Sequence, residues 1–305
     1  MIIQEHTNLR DRFLSMIARW YMAQNREKAF ARRGYKVAVF ANDTIGDAVV
    51  LNGYYDFRGL QHLLSVLNCV YEEGLDAYIA LDIGANIGNH AGFLGGHFRT
   101  VHAFEANPTT FPLLAYNAAT LGNIKAHPVG VTDEPTSRMV VRGSPYNNGG
   151  SQLVRADVGD ERLQLVTLDD YLNIDGEIAL VKVDVEGMEP NVIRGAMKTL
   201  REHLPVIAFE QNRPAFSDTG RETETISLLR SEGYKIGAFI EGNEGVGRRK
   251  LRGVRARLFG ARRFTFTLFN TVPPHDWEML IAVHPERHKK VITPDFELGA
   301  THIYG

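Results

Sequence analysis

The 305-residue sequence has a single cysteine, Cys69. One thiol excludes an intrachain disulfide and a cysteine-built zinc site, and its place in LLSVLNCVY, an apolar helical run, suits core packing. No uninterrupted apolar run approaches the ~18 residues that a membrane span requires. The first residues, MIIQEHTNLRDRF, carry charges where a secretory leader needs an apolar stretch, so a cytoplasmic location is expected. An excess of charge is missing as well. Lys and Arg number 34 against 36 Asp and Glu, and a formal net charge of -2 implies no polyelectrolyte partner for the chain as a whole. The histidines are dispersed without ligand spacing, so no metal is expected, although Asp184 and Glu186 together have the oxygen chemistry that Mg²⁺ accepts.

What is present is an alternation of short apolar runs with helical stretches. From Tyr78 onward YIALDI, TVHAFE, IKAHPVGV, ALVKVDV and PVIAFE read as strands, with helices expected near 89–97, 109–121, 190–203 and 222–233. That order is the signature of an α/β protein with a mostly parallel, doubly wound sheet. RRFTFTLFN and MLIAVHP are expected to add an antiparallel edge. Residues 133–171 form an insertion holding RMVVRG, SQLVRA and LQLVTL, which alternate like antiparallel strands and are a candidate wall for a second substrate, with the loop at 147–151 included. Residues 1–75 read as a helical extension and entry to the main domain, which occupies 76–305. Within the extension, 36–40 is expected to be a strand, 42–46 a turn and 57–71 an amphipathic helix. Over 9–33, Phe13, Leu14, Ile17, Trp20 and Tyr21 recur at helical spacing, with Arg10, Asp11, Arg19 and Arg26 on other faces. This helix is expected to pack on the main domain or on a second subunit in a homo-oligomer; a substrate lid or a membrane-surface helix is the alternative.

The chemistry concentrates at strand ends. Leu81-Asp82-Ile83-Gly84-Ala85-Asn86-Ile87-Gly88 follows a strand and opens a helix, so backbone can approach a ligand there. Its G-x-x-x-G spacing differs from the G-x-G-x-x-G of pyrophosphate-binding dehydrogenases, which argues against a nicotinamide oxidoreductase. Asp82 opposes phosphate and suits a cation. A sulfonium cofactor with an amino-acid tail satisfies both ends, with Asp82 toward the ammonium and the backbone of Gly84, Ala85, Asn86 and Gly88 toward the carboxylate. The alternative for Asp82 is helix capping. About 20 residues on, Glu105 ends the next strand, where an acid bonds ribose hydroxyls in Rossmann-like sites, and Asn107 and Pro108 turn the chain into a helix. Asp184 and Glu186 follow the next buried run and Glu210 ends its neighbour. Ligands in such sheets lie beyond the carboxyl ends of the strands, so these three acids are candidates to orient an acceptor hydroxyl or to take its proton. For Glu186 a bond to backbone amides around Gly187 is an equal alternative, and His90 and His127 are further candidate bases.

Taken together, LDIGANIGNHA, HAFEANP, LVTLDDYL and KVDVEGMEPNVIRGA with IAFE resemble the FkbM-type methyltransferase family over residues 78–211. The resemblance implies a Rossmann-like class I methyltransferase fold and S-adenosylmethionine as cofactor. It also implies O-methylation of a small-molecule hydroxyl on a sugar or natural product. It places cofactor contacts at Asp82, Gly84, Asn86, Gly88 and Glu105, and active-site roles at Asp184, Glu186 and Glu210. The sequence departs from the family pattern at His90-Ala91, where a small hydroxyl residue is common, and at Ala106, where proline is frequent. Outside the resemblance lies a basic stretch, Arg248, Arg249, Lys250, Arg252, Arg255, Arg257, Arg262 and Arg263. It suggests a nucleic-acid methyltransferase or binding module as the alternative function, with a solvated basic loop the simpler expectation.

Overall fold

The computed structural model describes residues 9–41, 43–135, 139–144, 147–155, 163–212, 222–241 and 264–292, and of 139–155 the backbone alone. The basic stretch at 248–263 lies outside the described residues.

The extension is helical. Helix α1 (Leu9–Arg33) leads to α2 (Thr44–Asn52) and α3 (Phe57–Val70). The turn expected at 42–46 is the N-cap of α2, where the Asp43 carboxylate accepts from Gly46 N, and Asp56 caps α3 from Gly59 N in the same way. The strand expected at 36–40 does not form. A strand needs a ladder of backbone partners. Here one side chain substitutes for them: Ala38 N–H donates to Asn117 Oδ1 at 2.7 Å, and Asn117 Nδ2 donates to Ala38 O at 2.9 Å.

These helices are followed by β1 (Ile79–Ile83), α4 (Asn89–Gly95), β2 (Thr100–Phe104), α5 (Phe111–Ala119) and β3 (Ile124–His127). The insertion region holds β4 (Gly130–Val131), β5 (Met139–Ser144), β6 (Asn147–Arg155), β7 (Leu165–Val166) and α6 (Leu168–Tyr171). Then come β8 (Ile178–Val183), α7 (Glu189–Gly195), α8 (Met197–His203), β9 (Val206–Gln211), α9 (Glu224–Ser231), β10 (Lys235–Glu241), β11 (Phe264–Phe269) and β12 (Trp277–Val283). Eight strands form one sheet in the order β11-β10-β12-β9-β8-β1-β2-β3. The run from β3 to β9 is parallel, and β12 pairs antiparallel with both β9 and β10. The two expected antiparallel strands are therefore separated, with β12 inside and β11 at the edge.

IKAHPVGV was expected as one strand but is cut at Pro128, whose missing N–H cannot continue a ladder. β3 stays in the main sheet while β4 pairs in parallel with β7 in a separate small sheet. Of the insertion's alternating runs, β5 and β6 form an antiparallel hairpin. The helix expected at 190–203 is broken at Ala196 into α7 and α8.

Every residue of β1 and β8 is buried, because helices cover both faces of the sheet. Leu81, Ile83, Val181, Val183, Ile207 and Phe209 pack with α7, α8 and α9, for example on Ile193, Leu200 and Leu229. Ala80, Leu180, Val206 and Ala208 pack on the other side with Leu63 and Leu67 of α3, Leu94 of α4 and Leu114 of α5. The chain winds from β1 through β2 to β3 in one direction and from β8 to β9 in the other. The β1/β8 boundary is thus the topological switch point, where open α/β sheets bind ligands.

Candidate active site

Strand periodicity gathers the charges. Side chains alternate between faces, so residues of the same parity as Ala80, Leu180 and Ala208 share the α3–α5 side. Asp82, Lys182, Asp184 and Glu210 all have that parity. Register then sets them side by side, with Asp82 opposite Lys182 and Lys182 opposite Ala208. Lys182 Nζ lies 3.3 Å from Asp82 Oδ1 and 3.1 Å from Asp184 Oδ2. Burial acts against a charged lysine, but Asp184 and Asp82 outweigh it and hold the ammonium pKa above its ordinary value. The sequence reading did not single out Lys182. The signal was available, since a lysine inside a strand covered on both faces must be paired.

Beyond β8 the acids divide their work. Burial pushes the Asp184 carboxyl up, but Lys182 and a hydrogen bond shared with Glu210 outweigh it, and Asp184 stays ionised below the usual carboxylate range. Glu210 moves the other way: burial, then the charge of Asp184 and the bond between them, push it up to about 8. The pair thus shares one proton at neutral pH, held on Glu210. Glu186 is half-buried, and burial followed by Asp184 raises its pKa. The backbone-tying role offered to Glu186 belongs to Glu189, which the sequence reading missed. Its Oε1 accepts from Gly187 N at 3.1 Å and Val185 N at 3.4 Å. Glu186 is left lining the cavity.

The glycine turn is held by its own bonds. Gly84, Asn86 and Gly88 adopt left-handed backbone, with φ of 80°, 51° and 87°. Gly84 N–H and Ala85 N–H donate to Phe104 O, Asn86 N–H to Glu105 Oε2, Ile87 N–H to Asn86 Oδ1 and Gly88 N–H to Ala85 O. Each amide from 84 to 88 thus has an acceptor within the chain, and Gly84, Ala85 and Asn86 of the turn line the cavity described below. Glu105 is fastened at both oxygens, by Asn86 N at 2.9 Å and Asn107 N at 2.7 Å. At Gly84 a methyl group would sit 1.8 Å from Asp184 O, so the glycine lets the turn cross the end of β8. Gly84→Ala is expected to destabilise the fold by about 3 kcal/mol, combining a positive-φ penalty with a backbone clash, measured by urea unfolding.

These groups line a cavity of about 270 Å³. Gly84, Ala85, Asn86, Glu105 and Asn107 follow β1 and β2, and Lys182, Asp184, Glu186 and Glu210 stand on or just after β8 and β9. Two expected site residues are not in its wall. Asp82 is fully buried behind Lys182, and Gly88 faces Leu114. His90 lines the cavity, but burial and Lys182 push it down to about 3, so it is neutral and a weak base. His127 is stacked against Phe104 and His102, outside the cavity. Thr44, Ile45 and Tyr55 of the extension complete the wall, and the Asn89 amide ties Tyr55 to α4 by bonding its backbone in both directions, at 2.9 and 3.0 Å. None of these three was expected.

A second cavity, of about 480 Å³, opens at the same strand ends. Phe57, His62, Phe239, Phe264 and Trp277 give it an aromatic lining, and Asp56, Asp276 and Glu278 with Arg58 a charged one. It adjoins the first through Tyr55-Asp56 and through Trp277, which is in register with Gln211 beside Glu210. Among the described residues, none of the 133–171 insertion lines either cavity, and the side chains of 139–155, where the acceptor wall was expected, lie outside the described residues; residues of α3 and of β10, β11 and β12 line the second cavity. Among the described residues no group of three or more His, Cys, Asp or Glu is arranged to hold a metal, and no helix is long and apolar enough to cross a membrane.

Residues 82–236 match the model of the methyltransferase FkbM domain. A curated relative, the hexuronic acid methyltransferase AglP of Haloferax volcanii, is 28% identical over 194 residues, covering 60% of this chain and 78% of the relative. Among solved structures, the FkbM methyltransferase of Methylobacillus flagellatus is 19% identical over 91% of this chain and 72% of that one, with a TM-score of 0.40. The tRNA (m1A58) methyltransferase TrmI of Aquifex aeolicus is 13% identical over 77% of this chain and 74% of that one, with a TM-score of 0.37.

Proposed function

We propose that this chain, which belongs to the FkbM methyltransferase family, carries a methyl group from S-adenosylmethionine to a hydroxyl of a saccharide or glycosylated natural product. The observation that carries the reading is the gathering of Asp184, Glu186 and Glu210 in one cavity with Glu105 and the glycine turn, at the switch point of the sheet.

The donor set suits the cofactor. The Glu105 carboxylate spends one bond per oxygen on backbone, which leaves about two of its four acceptor positions for the hydroxyls of a ribose. Neither oxygen of the buried Asp82 makes a well-formed hydrogen bond among the described residues, so the carboxylate retains capacity for water that links it to an ammonium group. When bound, S-adenosylmethionine supplies an electrophilic methyl group. The protein's part is then to present an oxygen and remove its proton. Asp184, held ionised, accepts a hydrogen bond from the acceptor hydroxyl and orients it, and Glu210 in its ionised form takes the proton. Glu186 supports the same edge as a third acceptor for neighbouring hydroxyls. The sugar-acid substrate in the name of the Haloferax relative supports a saccharide acceptor. So does the second cavity, where Trp277 and Phe239 offer flat apolar faces beside carboxylates.

S-Adenosylhomocysteine, the demethylated cofactor, tests the first half of this reading. It is expected to raise the melting temperature, and Glu105→Ala is expected to weaken its binding about tenfold or more. A folded sample that shows no shift at millimolar ligand rejects the assignment.

A further inference from the structure

We infer that α1 docks this protein onto an anionic lipid surface, lying in the plane of the headgroups. The inference uses no part of the methyl-transfer reading. Leu9, Phe13, Met16, Ile17 and Trp20 recur at helical spacing and form one stripe, and all are exposed, Leu9 at 83% and Trp20 at 63%. Of the 25 residues of the helix only Ala29 is buried. The body of the protein holds the C-terminal end: Arg32 donates to Asn52 O, Arg33 donates to Val49 O and Gly53 O, and Gly53 packs against the Ala29 backbone. The apolar stripe belongs to the part that projects beyond these contacts. A contiguous exposed patch of large apolar and aromatic side chains marks a surface that something covers.

Charge selects what covers it. The helix carries seven basic residues against two acidic ones, Asp11 and Glu27. Arg12, Arg19 and Arg26 follow one another at seven-residue intervals and so run as a second stripe along one flank of the first. Pairing two copies of the chain through the apolar stripe would need acidic residues along the facing flank to meet these arginines. The helix offers none at the matching intervals, since Asp11 lies on the opposite side and Glu27 continues the apolar stripe itself. Anionic headgroups supply the missing charge in any register. Trp20 and Tyr21 have the amphipathic rings that settle at headgroup depth, and arginine stems reach from the apolar layer to the phosphates.

Flotation of the full-length protein with vesicles tests this. The expected result is co-flotation with phosphatidylcholine vesicles containing a third phosphatidylglycerol, little with phosphatidylcholine alone, and loss of binding at high salt. F13S/W20S and R12E/R19E/R26E are each expected to weaken partition about tenfold or more, while R12K/R19K/R26K retains it. Circular dichroism and melting check that the variants stay folded, which the exposure of these side chains favours. A folded protein that does not float with anionic vesicles overturns the proposal, as does equal flotation of the variants. If the protein instead forms a dimer in solution that F13S/W20S dissociates, and does not bind vesicles, a second copy covers the stripe and the lipid assignment is wrong.

Discussion

Lys182→Met is expected to cost the fold about 3–5 kcal/mol, read as a fall in the urea midpoint at unchanged slope. The size follows from where the lysine sits. Asp82 is fully buried on the adjacent strand, and its only counter-charge among the described residues is the ammonium 3.3 Å away. Removing that ammonium leaves a fully buried carboxylate without that counter-charge and with Asp184 nearby. Burial outweighs Lys182 and raises the Asp82 pKa even in the parent, so without the ammonium the group regains neutrality by taking a proton. A folded pKa raised above the unfolded value gives stability that is complete below the ordinary carboxylate range and is lost as pH rises. The variant should therefore come closest to the parent in mild acid and fall furthest behind at neutral pH and above. Adding Asp82→Asn removes the stranded charge. The double variant K182M/D82N is expected to be more stable than K182M, with a coupling of about 1–3 kcal/mol between the positions. A K182M protein that unfolds like the parent at neutral pH would show that Asp82 is already protonated in the parent.

That lysine also marks where the sequence was and was not legible. The strands of the parallel sheet were readable because β1 and β8 are covered on both faces and must be apolar throughout. The same logic located Asp184 and Glu210, which stand at the ends of such runs. What one strand cannot reveal is its neighbour. The placing of Lys182 opposite Asp82 is a property of register, and the insertion of β12 between β9 and β10 is a property of strand order. Neither leaves a local trace. Glu186 and Glu189 show the limit at finer scale: both lie in one acidic turn, and composition does not say which ties the backbone and which faces the cavity. At 36–40 β-branched composition was a poor guide, since the segment's paired residue is satisfied by an asparagine side chain. Tyr55, Thr44 and Ile45 enter the cavity wall through long-range packing of the extension, which no motif announces.

The rate of methyl transfer is expected to depend on Glu210 through pH, with kcat/KM rising about tenfold per unit below the point where Glu210 ionises and levelling above it. That point lies at about 8, because burial, the charge of Asp184 and their shared hydrogen bond all favour the protonated acid, and Glu186 and Glu189 add to the repulsion. Asp184 does not produce this limb. It stays ionised throughout, its pKa held low by Lys182 and Glu210 against burial. Glu210→Gln should remove the limb and lower the rate by about 10²–10⁴, the usual worth of a positioned base. Stability should move the opposite way. The Glu210 carboxyl is raised above its unfolded value, so its contribution to stability is complete below about pH 4 and is lost as pH climbs through about 8. Over that window the glutamine variant is expected to gain stability relative to the parent, and above it the difference should stay constant. The two readouts separate the roles. A residue that only holds the fold would give the stability trend with an unchanged rate profile, whereas a proton acceptor gives both. A parent profile that is flat between pH 6 and 9 would move the proton to another group on the same edge, with Glu186 the next candidate.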